Sequence, residues 1–103
     1  MRGMQDMLRQ AQMMQKKLAT IQEELKTREV QATSGGGMVT VTATGGQEIV
    51  SIAIDKSVLE AGDVEMLQDL VLAAVRDALK KAKAMNEEEM GKITGGMKIP
   101  GMF

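Results

Sequence analysis

The sequence has no cysteine, histidine, tryptophan or tyrosine, and only one phenylalanine and one proline. Without cysteine there is neither a disulfide framework nor a thiolate site. The loss of His, Cys and Tyr together removes the common general bases, thiol nucleophiles and imidazole metal ligands, and the carboxylates fall at no metal-like spacing. No enzyme, no metal site, no cofactor and no small-molecule substrate is therefore expected. There is also no uninterrupted apolar run of the kind a signal peptide or membrane span needs, so the expectation is a soluble cytoplasmic protein with no membrane partner. A chain with so few aromatics has little to stack on unpaired bases, which argues against single-strand binding.

Eleven methionines take the place of the aromatics. Methionine is unbranched and adaptable, so it suits a helical interface better than a rigid pocket. A chain of 103 residues fits one domain, 1–103, whose core is thin if it folds alone; oligomerisation is the natural remedy. The net charge of −1 conceals a segregation: residues 1–28 carry +3, residues 29–79 carry −6 and residues 80–103 carry +2. Basic ends flank an acidic middle, so a polyanion should meet the ends and avoid the middle.

The middle reads as strands. Residues 38–44 and 48–54 each alternate with a period of two around Gly45-Gly46, a hairpin signal. Val30 and Ala32 alternate ahead of Gly35-Gly36-Gly37, giving a third antiparallel strand. Those glycines join strand to strand, and no Gly-Lys-Ser/Thr follows, so they form a turn and not a phosphate cradle. Apolar residues on both faces of 48–54 predict a central strand, buried on both sides or against a partner chain, with Ile52 and Ile54 in the core or dimer contact.

Helices surround the strands. Met4, Met7, Ala11, Met14, Leu18, Ile21 and Leu25 recur at three and four, a heptad seam that predicts packing against another helix along its length, with Met14, Leu18 and Ile21 at its centre. Arg2, Arg9 and Lys16 stack opposite that seam, about 10 Å apart, with Lys17 beside them. After a short helical turn at 55–59, Asp63 is placed as the N-cap of a long helix reaching Gly91 or a little beyond. Its buried stripe is Met66, Leu67, Leu70, Val71, Ala74, Ala78, Ala82 and Met85; Arg76, Lys80 and Lys83 lie on the far face, with Lys81 lateral. Residues 94–103 cannot hold a helix and read as a flexible tail whose apolar residues point to docking or partner contact.

The predicted class is thus α+β: long N-terminal helix, three-stranded antiparallel sheet, short helical turn, long C-terminal helix. With GGGMVTV at 35–41, IAID at 52–55, DLVLAAVRDAL at 69–79 and the GGM and PG pairs of the tail, the chain resembles the YbaB/EbfC family of bacterial nucleoid-associated proteins over nearly its whole length. The resemblance implies a homodimer in the cytoplasm and nucleoid, with a shared core and projecting helical arms, that binds double-stranded DNA with little sequence preference. It places DNA contact on the first and last long helices, here Arg2, Arg9, Lys16, Lys17, Arg76, Lys80, Lys81 and Lys83. The chain departs from the family pattern at Lys56, where proline is frequent, and at Arg76, where asparagine is common. Two functions follow: a nucleoid-organising DNA binder that influences gene expression, or a scaffold whose Met-rich seam holds a recombination or replication partner, which a pI near 5.4 favours.

Overall fold

The structure, a computed structural model, describes residues 2–94, with side chains from 3 to 93. The chain order is α1 (Arg2–Leu25), β1 (Glu29–Ser34), β2 (Val39–Thr44), β3 (Ile49–Ile54), α2 (Lys56–Glu60) and α3 (Val64–Thr94). Capping explains where the last two helices begin. Asp55 accepts from the Ser57 backbone N–H at 2.9 Å, and Asp63 accepts from that of Met66 at 3.0 Å. Thr94, expected in the tail, is the last described residue of α3; the remainder of that predicted tail lies outside the described residues.

The strands pair sequentially and antiparallel, in the order β1-β2-β3. Gly35, Gly36 and Gly37 all take positive φ, which makes the β1–β2 turn a position for glycine. The second turn works differently: its left-handed residue is Gln47, at φ 63°. Gly45 is required there for space, since a Cβ would sit 2.8 Å from the Leu25 carbonyl oxygen and 2.9 Å from the Met85 methyl.

The expectation of a central third strand is corrected. Two consecutive hairpins put β2 in the middle, and β3 is an edge strand with all six residues exposed within the chain. A bulge accounts for its two-faced pattern: Thr42 faces Ser51 but Ala43 faces Ile49, leaving Val50 without an opposite number. The slip returns Ile49 to the face that carries Ile52 and Ile54.

The core lies between β1, β2 and α3, where Ala32, Val39, Val41 and Ala43 meet Ala74, Ala78 and Ala82. The alanines let the helix lie close on the sheet, and Ser34 Oγ donates to the Leu70 carbonyl at 2.6 Å to fix the start of that contact. Beyond the sheet, α3 continues alongside α1: Leu25 packs near Met85, Arg28 meets Glu89, and Ile93 lies beside Met13 and Lys17. The two helices therefore run antiparallel as an arm, and the molecule measures 72 × 22 × 16 Å. The predicted seam is engaged over half its length. Leu25 is buried and Met14, Leu18 and Ile21 are half-buried, whereas Met4 and Met7 are 68% and 71% exposed.

Candidate nucleic-acid interface

Charge along the arm depends on which cations are already partnered. On α1, Arg9, Lys16 and Lys17 are exposed and make no ion pair among the described residues. Arg9 and Lys16 stand two helical turns apart, about 10 Å along the axis. On α3, Arg76, Lys80 and Lys83 are exposed and equally unpaired among the described residues. The row on α3 follows from a register that gives one face to packing and leaves the opposite face to solvent, whereas Lys16 and Lys17 on α1 border the space between the two helices. The side chain of Arg2, predicted to extend the first row, lies outside the described residues.

Lys81 differs from its neighbours. Its Nζ donates to the Gln31 carbonyl at 3.1 Å and lies 3.7 Å from Asp77, so it is turned to the β1 edge and away from the row of Lys80 and Lys83. Three further cations are also engaged: Lys26 pairs with Glu23 at 2.9 Å, while Arg28 and Lys92 converge on one Glu89 oxygen, each at 3.2 Å. Glu89 is only 18% exposed, and the hydrogen bonds from Lys92 and then Arg28 hold its carboxyl below its usual range. This triad ties the end of α1 and the start of β1 to the last turns of α3. Glu89 and Lys92 were legible as an i,i+3 pair, but no sequence signal joins Arg28 to a residue so distant.

A second group of acids occupies the other end of the molecule. Asp55, Glu60, Asp63, Glu65 and Asp69 lie around α2 and the start of α3. Two of them serve the backbone, as the caps already described. The hydrogen bond from the Ser57 backbone N–H, more than any other contact, lowers the Asp55 carboxyl from its ordinary value. The described residues form no group of three or more acids that could hold a metal ion, and no helix among them is long and apolar enough to cross a membrane.

Between the helices of the arm lies an apolar groove of about 420 Å³, lined by Met13, Lys16, Lys17, Thr20, Ile21 and Ile93. A shallower depression continues it toward Gln10 and Met14. The remaining predicted contact residues, Ile52 and Ile54, are 46% and 39% exposed, because α3 covers β1 and β2 and barely touches β3. They share this open face with Ile49.

A sequence profile of the YbaB/EbfC DNA-binding family matches residues 1–97. Among curated proteins, a nucleoid-associated protein of Pelotomaculum thermopropionicum is 54% identical over 101 residues, spanning 98% of this chain and 96% of its own. One from Alkaliphilus metalliredigens is 49% identical over 101 residues, covering 98% of this chain and 89% of its own. A third, from Thermoanaerobacter pseudethanolicus, is 53% identical over 98 residues, covering 95% and 88%. Among solved structures, an uncharacterised protein from Helicobacter pylori superposes with a TM-score of 0.74 at 30% identity, over 82% of this chain and 89% of that one.

Proposed function

The chain belongs to the YbaB/EbfC DNA-binding family, and from that premise we propose that it is a nucleoid-associated, non-enzymatic protein that grips double-stranded DNA as a homodimer with little sequence preference. The observation that carries this reading is the division among its cations. Arg9, Lys16, Lys17, Arg76, Lys80 and Lys83 have no internal ion pair among the described residues, while Lys26, Arg28, Lys81 and Lys92 are held by acids. Unpaired cations along two long helices suit phosphates spaced along a duplex; side chains that neutralise backbone phosphates carry no base code. Lys81 is left out of the DNA surface on this reading.

The dimer is supported by what one chain leaves uncovered: Ile49, Ile52 and Ile54 on the edge strand and Leu72 near the start of α3. A second copy is the economical cover for so much apolar surface on a small domain. With DNA as its partner, the protein works in the cytoplasm, at the nucleoid. The scaffold reading has one observation in its favour, the exposed Met4, Met7 and Leu8 at the outer end of α1. A gel-shift titration with duplex DNA at two salt concentrations decides between them. The DNA reading expects a shift that weakens steeply as salt rises; a scaffold gives no shift at either.

A further inference from the structure

We propose, on the reading that the exposed face of α3 meets a duplex, that Asp69 and Glu87 bracket its row of cations and confine DNA contact to residues 76–83. Asp69 stands seven residues before Arg76, and Glu87 stands seven residues after Lys80. Seven residues make about two full turns, so each carboxylate leaves the helix within about 20° of the direction its cation takes. Arg76 to Lys83 spans about 10 Å of helix axis, and Glu87 follows Lys83 by about 6 Å.

Neither acid is neutralised within the chain. Both are exposed, and neither makes an ion pair or hydrogen bond among the described residues. The glutamates beside Glu87 differ from it: Glu89 is turned inward, where Arg28 and Lys92 each hold it at 3.2 Å. Glu88 leaves the helix about 100° round from Glu87, to one side of the cations. A duplex carries about one negative charge per 1.7 Å of its axis, so one laid along α3 past Lys83 has no gap that spares it from Glu87. The separation of about 6 Å lies inside the screening length of about 8 Å at physiological salt, so the Glu87 carboxylate repels the phosphate that Lys83 attracts. On this arrangement DNA crosses α3 at the row and does not run along it.

Gel-shift titrations of the full chain with duplex DNA at two salt concentrations test the bracket. Glu87→Gln is expected to tighten binding by about three- to tenfold in a dimer. Asp69→Asn is expected to do so by less, since about 10 Å of axis separates it from Arg76. Glu88→Gln, next in sequence but off the row, is expected to change affinity by less than about twofold. Glu87→Lys continues the row and should steepen the slope of log affinity against log salt by up to about 1.8 in a dimer. All three positions are exposed, so circular dichroism should match the parent. If the parent binds and both Glu87 variants bind as it does, the bracket is overturned while the DNA surface stands. Equal gains from Glu87→Gln and Glu88→Gln also overturn it, because net charge alone then sets the affinity. If no chain shifts the duplex, the parent included, the DNA reading itself falls and the bracket with it.

Discussion

Lys80, Lys81 and Lys83 are near neighbours in sequence, yet one of them bonds to a strand and the other two do not. Replacing Lys81 by Ala is therefore expected to leave the salt dependence of DNA binding unchanged; a slope flattened as much as by Lys80→Ala would return Lys81 to the DNA surface. Glu89 gives a pH signature of definite sign. Its pKa is depressed in the folded chain, so its contribution is present above the ordinary value of 4.5 and is lost as pH falls through the lower folded value. In Glu89→Gln the acid-side fall in stability should be shallower than in the parent, read from denaturation midpoints between pH 3 and 6. At Gly45 the constraint is steric. Gly45→Ala pushes a methyl against the Leu25 carbonyl, 2.8 Å away, and should cost about 1–3 kcal/mol in urea unfolding.

At the level of elements, the proposed DNA surface is the exposed faces of α1 and α3. Two neutralising substitutions on one helix, Arg9→Ala with Lys16→Ala or Lys80→Ala with Lys83→Ala, remove about four phosphate contacts from a dimer. The slope of log affinity against log salt should then flatten by up to about 3.6. Circular dichroism should be unchanged, since these side chains are exposed. If the folded variants keep the parent's affinity and slope, these helix faces are not the DNA surface. The helices were legible in the sequence because their periodicity and caps are local: the heptad seam, Asp63 and the Ala74, Ala78, Ala82 stripe each needed only a few turns of context. The place of β3 was not legible in the same way. Apolar residues on both faces admit a buried strand or a bulged edge, and only the pairing of Ala43 with Ile49 distinguishes them. The seam likewise reported where α1 can pack without reporting how far α3 accompanies it.

For the whole molecule, the proposed dimer is a matter of surface. Ile52→Asp places a charge on the open face of β3 and is expected to yield a species of 11.1 kDa in sedimentation, where the parent is expected at twice that mass. A variant sedimenting with the parent would move the interface elsewhere. The candidate DNA residues follow the same logic as the fold: a row of cations was readable from spacing, but which of them are already engaged depends on contacts such as Lys81 with Gln31, fifty residues apart. That one ammonium also makes the two edges of the sheet unlike. A three-stranded sheet has two rims, and α3 lays Lys81 across the β1 rim while β3 stays bare. The two rims are thus unequal: a strand added to the sheet meets an open ladder at β3, and at β1 it must first displace the Lys81 ammonium from the Gln31 carbonyl.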